Sequence, residues 1–146
     1  MDRKEFIQTS CSACMLMTAG FFLSAMPGCT PKYSVFKTEV VDKKLTLPLS
    51  AFKQSSLQLV RPKGWYYDIA VEKNNDNTYT ALLLQCTHQE NQLTPDGNGF
   101  HCNLHGSQFD SEGNVRKGPA ERPLQRYRTY MDMNSLIIEI LKSPEP

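Results

Sequence analysis

Two short runs of cysteine and histidine constrain this chain more than any other feature of its sequence. The first reads Cys86-Thr87-His88, and the second reads Cys102-Asn103-Leu104-His105, followed by Gly106 and Ser107. Residues two apart on an extended segment project to the same side, and a glycine lets the backbone turn sharply beside the second pair. Thiols and imidazoles are soft and borderline metal ligands, so the two runs predict a metal centre built from two loops.

The C-x-H and C-x-x-H pair resembles the signature of the Rieske iron-sulfur family, in which two facing loops hold a [2Fe-2S] cluster. The resemblance spans about residues 65–141 and is most specific at residues 86–124. In the family, a Gly-Pro segment forms a loop that covers the cluster. The further segments that carry the resemblance are H-G-S-Q-F-D at 105–110, G-N-V at 113–115, G-P-A at 118–120 and P-L at 123–124.

The resemblance implies one Rieske-type [2Fe-2S] cluster as the cofactor. Cys86 and Cys102 would bind the buried iron, His88 and His105 would bind the outer iron, and Ser107 would donate a hydrogen bond to a bridging sulfide. Two neutral imidazoles leave less negative charge than two thiolates. Rieske centres accordingly have reduction potentials of roughly −150 to +300 mV, against about −400 mV for all-cysteine plant ferredoxins. No catalytic acid, base or nucleophile is predicted.

Three positions depart from the quinol-oxidising members of the family. Those members usually carry one further cysteine in each loop, joined as a disulfide, where this chain has Asn91 and Leu104. High-potential members have a tyrosine two residues after the serine, where this chain has Phe109, which carries no hydrogen-bond donor. Ser107 is retained, so one of the two hydrogen-bond donors is present. We therefore expect an intermediate reduction potential, below the high-potential end of the family.

A zinc site is the structural alternative, because two cysteines and two histidines also bind zinc. Zinc sites usually space each ligand pair more widely than C-x-H allows, and zinc would not account for the segment 118–120. The remaining histidine, His101, is expected to be an ordinary strand residue. A non-haem iron oxygenase needs two further histidines and a carboxylate, and only His101 is left to supply a histidine, so the chain is not expected to be an oxygenase itself.

Residues 1–29 are predicted to be an export signal or a membrane or lipoprotein anchor. They contain a charged start at Asp2-Arg3-Lys4-Glu5, an apolar run from about Cys11 to Met26, and Pro27-Gly28-Cys29. The charged start resembles a twin-arginine signal with lysine as its second basic residue, which suits a protein that crosses the membrane already folded. Lipid on Cys29, an uncleaved anchor and simple secretion remain open. We expect export and membrane attachment on the periplasmic face.

Residues 30–146 are predicted to form one Rieske domain, whose cluster-binding part covers about 85–124. The expected fold class is all-β: a Rieske-like antiparallel β-sandwich with a small subdomain of two ligand loops, preceded by an N-terminal leader or anchor helix. Pro48 predicts that its strand lies at an edge. The predicted strands are Lys32–Val41, Leu45–Leu49, Ser55–Val60, Trp65–Val71, Tyr79–Gln85, Leu124–Met131 and Ser135–Leu141.

Three functions follow from these patterns. The first is an electron-transfer subunit or partner of a membrane-linked, quinol-type oxidoreductase, with a quinol-linked complex or a cytochrome-like acceptor as its redox partner. The second is a ferredoxin-type electron donor to a reductase or oxygenase, and the third is a structural zinc module. The net charge of +1 does not indicate a nucleic-acid partner. In the first two functions, the chain carries electrons and depends on partners for catalysis.

Overall fold

The computed structural model describes Tyr33, residues 35–142 and Pro144. The predicted leader at residues 1–29, with its leader or anchor helix and with Cys29, lies outside the described residues. In the part of the chain that is described, no helix is both long and apolar enough to cross a membrane.

Eleven strands in the described residues form two β-sheets. The larger sheet has seven strands in the order β1-β3-β4-β5-β10-β11-β2, and the smaller has four in the order β6-β7-β8-β9. The strands are β1 (Val35–Thr38), β2 (Lys44–Pro48), β3 (Leu57–Pro62), β4 (Ile69–Lys73), β5 (Tyr79–Leu83), β6 (Thr94–Pro95), β7 (Gly99–His101), β8 (Gln108–Asp110), β9 (Val115–Lys117), β10 (Arg126–Asp132) and β11 (Ser135–Glu139).

The expectation of an entirely antiparallel sandwich is corrected at one edge of the larger sheet. There β1 pairs with β3 in parallel, with Val35 opposite Leu59 and Thr38 opposite Pro62. Parallel neighbours need a crossover connection. The chain supplies one, because it passes through β2 at the other edge of the sheet before it returns as β3.

Strand β2 lies at an edge of the sheet, as Pro48 predicts. Leu45 and Leu47 are fully buried, and the residues between and beside them are exposed. The predicted strand end at Leu49 is wrong, because Leu49–Lys53 forms a short 3-10 helix that buries Phe52. The Leu49 N–H still donates to the Asn134 carbonyl at 3.0 Å, in register with the β2–β11 ladder, so the helix begins directly where the strand pairing ends.

The predicted strand Trp65–Val71 is wrong at its start, because β4 begins only at Ile69. The Asp68 N–H donates to Oε1 of Gln92 at 3.1 Å, and the Asp68 carbonyl accepts from the Leu84 N–H at 2.8 Å. The bond to Leu84 continues the β4–β5 register by one residue pair, whereas the Asp68 N–H binds a side chain beyond the first cysteine run instead of the backbone of a neighbouring strand. The turn before β4 therefore supports the predicted metal centre.

Strands β4 and β5 are buried on both faces, because their alternate residues enter two different hydrophobic clusters. One cluster is the main core of the domain. The other lies against the opposite face and contains both Cys86 and Cys102, so this sheet supports both cysteine runs. From these two strands, Ile69, Val71, Ala81 and Leu83 enter the main core, and Ala70 and Leu82 enter the second cluster.

An ion pair fixes the turn between β3 and β4. Nε and Nη2 of Arg61 donate to the two carboxylate oxygens of Asp68 at 2.6 and 2.7 Å. Asp68 is only 3% exposed, whereas the Arg61 side chain remains half exposed. Its hydrogen bond to Asp68, and then the charge of that carboxylate, raise the pKa of Arg61.

We expect Arg61→Gln to lower the free energy of unfolding by about 2 kcal/mol, because it leaves the Asp68 carboxylate buried without a countercharge. Solvent around the half-exposed Arg61 side chain keeps the cost below that of a fully buried pair. The matched control is Lys63→Gln, which removes the exposed pair with Glu39 at 2.8 Å and should change stability by less than about 0.5 kcal/mol. Equal losses in urea denaturation would contradict this prediction.

Candidate metal centre

The two cysteine and histidine runs form two loops that are closed by the same backbone hydrogen bonds. Loop 1 spans residues 86–91, and loop 2 spans residues 102–107. In each loop the cysteine N–H donates to the carbonyl five residues later, and the N–H four residues later donates back to the cysteine carbonyl. The two cysteines therefore lie in matching backbone settings. The N···O distances are 2.8 Å for Cys86–Asn91, 2.8 Å for Glu90–Cys86, 2.8 Å for Cys102–Ser107 and 3.0 Å for Gly106–Cys102.

Both loops turn through a left-handed residue four positions after the cysteine. In loop 2 this residue is Gly106, with φ of 80°, and in loop 1 it is Glu90, with φ of 52°. Glycine adopts this conformation freely, whereas a residue with a Cβ pays roughly 1 to 2 kcal/mol. The sequence indicated the turn at Gly106 but gave no sign of the one at Glu90.

We expect Gly106→Ala to lower the free energy of unfolding of the cluster-loaded protein by about 1 kcal/mol, and Glu90→Gly to cost nothing or to stabilise it slightly. A Cβ added at Gly106 meets no atom within 4 Å, so the effect comes from the backbone conformation alone. Thermal unfolding of both variants measures the difference. A Glu90→Gly protein that is destabilised as much as Gly106→Ala would show that the left-handed turn is not the cause.

The thiols of the two loops are buried and their imidazoles are exposed. Cys86 is 0% exposed and Cys102 is 1% exposed, and neither forms a disulfide. His88 and His105 both lie at the surface, with ring centroids 4.9 Å apart and ring planes at 89°. The structure therefore places two sulfur donors within a hydrophobic cluster and two nitrogen donors side by side at the surface.

This arrangement of donors fits a two-metal cluster. A structural zinc ion needs about four ligands that converge on one point. Among the described residues, no group of three or more histidine, cysteine or acidic side chains lies close enough to bind a single ion. A cluster with two protein ligands on each iron requires no such group. Two buried thiols and two adjacent surface imidazoles match that division of ligands between two irons.

Ser107, the last residue of loop 2, is held by a backbone donor from a later segment of the chain. It is fully buried, and its Oγ accepts a hydrogen bond from the Ala120 N–H at 3.0 Å. Its own hydroxyl proton has no acceptor among the described residues. Ala120 belongs to residues 118–123, here called the cover segment, in which the Gly118–Pro119 peptide bond is cis. Phe109 is buried nearby in β8 and offers no donor.

The cover segment is bonded to both loops. Thr87, which lies between Cys86 and His88, donates from Oγ1 to the Arg122 carbonyl at 2.6 Å. Together with the Ala120 bond to loop 2, this contact closes the cover segment over the two runs. Sequence reasoning did not identify Thr87, although a small hydroxyl residue between two predicted ligands was a signal that could have been used.

Loop 1 is also held from the side of the turn before β4. The Tyr67 hydroxyl donates to the Glu90 carbonyl, and burial raises the pKa of Tyr67. At the two positions that differ from the cysteines of quinol-oxidising members, the Asn91 amide donates within its own loop to the Gln89 carbonyl at 3.1 Å, and Leu104 is 64% exposed. Hydrogen bonds therefore fix the loops in place of a covalent link.

His101 lies in β7, as its sequence context predicts. Its Nδ1 atom is buried and has no hydrogen-bond partner in the described residues. The nearest carboxylate oxygen is Oδ2 of Asp96, at 3.9 Å. The structure therefore leaves His101 apart from the paired rings of His88 and His105.

Comparison with known proteins supports the same interpretation. A family model described as a Rieske [2Fe-2S] domain matches residues 34–128. The ubiquinol-cytochrome c reductase iron-sulfur subunit of Rhodobacter capsulatus is 37% identical over 59 residues, which cover 38% of this chain and 31% of that protein. The cytochrome b6-f complex iron-sulfur subunit 2 of Nostoc sp. is 45% identical over 68 residues, covering 45% of this chain and 38% of that protein. The chain thus spans about a third of the length of the curated relatives it matches.

Solved structures show the same fold. The cyanobacterial plasma membrane Rieske protein from Synechocystis PCC 6803 aligns with a TM-score of 0.54 and 26% identity, over 63% of this chain and 94% of that chain. A chain from the complex of reduced oxygenase and oxidized ferredoxin in carbazole 1,9a-dioxygenase aligns with a TM-score of 0.54 and 22% identity, over 72% of this chain and 100% of that chain. The predicted all-β, Rieske-like fold is confirmed, with two sheets.

Proposed function

Because the chain belongs to the Rieske [2Fe-2S] domain family and is an electron-transfer protein with one such cluster, we propose that it works with a membrane-linked, quinol-type oxidoreductase. It would be a subunit or a redox partner of that complex. The relatives named above as ubiquinol-cytochrome c reductase and cytochrome b6-f iron-sulfur subunits support this role. The structural observation that best supports this role is that two adjacent histidine rings are exposed while two cysteines in the same loops are buried.

Four residues would hold the cluster. Cys86 and Cys102 would bind the inner iron, because thiolates in a hydrophobic cluster are protected from water and oxidants. His88 and His105 would bind the outer iron, since their rings are adjacent at the surface. Ser107 would donate its unused hydroxyl proton to a bridging sulfide, with its orientation set by the Ala120 N–H.

When bound, the cluster would accept and release one electron. The chain's residues determine where that electron and its proton can go. At the surface, His88 and His105 can each hold or release a proton at the ring nitrogen that does not face the metal, directly in contact with solvent or a quinol. On the other side, the two cysteine side chains are buried in the hydrophobic cluster. Coupled electron and proton transfer at the histidine edge is what oxidation of a quinol requires.

A ferredoxin-type electron donor to a reductase or oxygenase is the second candidate. Asn91 and Leu104 stand where quinol-oxidising members carry a disulfide, and Phe109 removes one hydrogen-bond donor from the site. Both departures favour a lower potential. Export through residues 1–29, with attachment by lipid on Cys29 or by an uncleaved anchor, favours the first candidate, because it would bring the domain to the periplasmic face of a membrane.

The pH dependence of the reduction potential distinguishes the two candidates. For the quinol-linked role, we expect a potential well above the low end of the Rieske range, which is roughly −150 mV, and a potential that falls as pH rises, because reduction would then favour proton uptake by a ligand histidine. Protein-film voltammetry across about pH 5 to 8 measures it. Reduction of the oxidised cluster by a water-soluble quinol is the second readout. A low potential that is constant over this range, with no reduction by quinol, would support the ferredoxin-type role instead.

A further inference from the structure

A groove opens between loop 1 and the cover segment, directly beside one of the exposed histidines. Its volume is about 550 Å³. Thr87 and His88 form one wall, and Arg122 and Pro123 form the other. The hydrogen bond from Thr87 to the Arg122 carbonyl joins the two walls. A side chain that enters this groove therefore lies next to loop 1.

Arg122 gives the groove a cation that the protein itself does not neutralise. Its side chain is exposed and has no hydrogen-bond or ion-pair partner among the described residues. Two other arginines differ, since Arg61 is paired with Asp68 and Arg126 with Glu112 at 2.5 Å. An unpaired guanidinium at the mouth of a groove is suited to bind a carboxylate from another molecule in a bidentate manner.

The other charges around the groove leave it positive. The Lys142 side chain lines it too, and Glu90 is its one acidic lining residue in the described part of the chain. Arg122, Lys142 and Glu90, the charged lining residues, are two cations and one acid, and Glu121, the exposed acidic neighbour of Arg122 in sequence, is outside that lining.

We propose that this groove, with Arg122 at its rim, is the docking surface for an acidic redox protein. A partner carboxylate would pair with Arg122 and would bring the partner's redox group beside His88, at the exposed edge of the cluster. The inference rests on the proposed electron-transfer role and adds the chemistry of the partner. Charge complementarity at such a rim acts mainly on the association rate, so it is tested by kinetics and salt dependence.

Two forms of one acceptor provide the test. Horse heart cytochrome c is basic, and its fully succinylated form is acidic, so the haem is held constant while the surface charge is reversed. The reduced holoprotein passes one electron to the ferric haem, and stopped-flow absorbance follows the transfer. We expect the rate with succinylated cytochrome c to fall about tenfold between 10 and 200 mM ionic strength, and the rate with native cytochrome c not to fall.

Arg122→Glu should lower the rate with succinylated cytochrome c about tenfold at low salt, and Arg122→Gln about threefold. The matched control is Lys53→Glu, which makes the same change of charge. Lys53 is an exposed lysine in the 3-10 helix before β3 and does not line the groove. It should change the rate by less than about twofold.

The reduction potential and the EPR spectrum of both Arg122 variants should equal those of the wild type, which excludes a disturbed cluster as the cause. Unchanged rates in the Arg122 variants, or an equal loss in Lys53→Glu, would overturn the docking proposal and leave the electron-transfer role intact. A wild-type protein that contains no iron-sulfur cluster would instead overturn the proposed function.

Discussion

Replacing either His88 or His105 should abolish the cluster, whereas replacing His101 should leave the cluster in place. We expect His88→Gln and His105→Gln each to lower the iron content from about two atoms per chain to nearly none, because the outer iron loses a ligand on its solvent side. His101→Gln is the matched control. Its ring lies in β7, away from the paired rings, so the variant should keep its iron and its colour.

Iron and labile-sulfide analysis, together with visible absorption, measure all three variants. Cys86→Ser and Cys102→Ser should behave like the first two, since both thiols lie in the hydrophobic cluster that the loops share. Full iron occupancy in His88→Gln or His105→Gln, or loss of the cluster in His101→Gln, would contradict the ligand assignment.

The second large effect concerns the reduction potential. Ser107→Ala removes the buried hydroxyl that is aligned by Ala120. If its hydrogen bond to a sulfide strengthens by about 1 to 2 kcal/mol on reduction, its loss lowers the potential by roughly 40 to 90 mV for a one-electron couple. Phe109→Tyr adds a donor at the position where high-potential members of the family have one, and should raise the potential by a similar amount.

Protein-film voltammetry at fixed pH measures both shifts. Ser111→Ala is the control, because Ser111 is an exposed residue of the turn after β8, and its removal should shift the potential by less than about 20 mV, or about 0.5 kcal/mol. Shifts of the same sign in Ser107→Ala and Phe109→Tyr would contradict the account of how hydrogen bonds tune this site.

The ligand spacing and the β-rich pattern were readable because they depend on residues close in sequence. Cys86-Thr87-His88 and the Gly106 turn are local features, and alternation within β2 follows from burial of Leu45 and Leu47 alone. The strand predicted from Trp65 failed for the opposite reason. Its aromatic residues favour a strand, but the Trp65 N–H closes a turn onto the Pro62 carbonyl, and the Asp68 N–H binds the Gln92 side chain, a contact that no local pattern reveals.

Contacts between distant parts of the chain also explain why the sequence did not reveal the roles of Thr87 and Tyr67 at the site. Thr87 acts through the Arg122 carbonyl, and Tyr67 through the Glu90 carbonyl, and both contacts join segments that are distant along the chain. The parallel pairing of β1 with β3 likewise depends on the path of the chain through β2. Sequence patterns identify the donors of this centre, whereas the contacts that position them require the folded chain.

The most direct test of the central claim is EPR and electron-nuclear double resonance of the reduced protein, with iron and sulfide analysis of the same sample. We expect about two irons and two sulfides per chain, a low average g value, and hyperfine coupling to two histidine nitrogens, with no cluster signal in the His88→Gln and His105→Gln variants. One zinc per chain with no visible colour, or a cluster without nitrogen coupling, would contradict a Rieske centre held by loops 1 and 2.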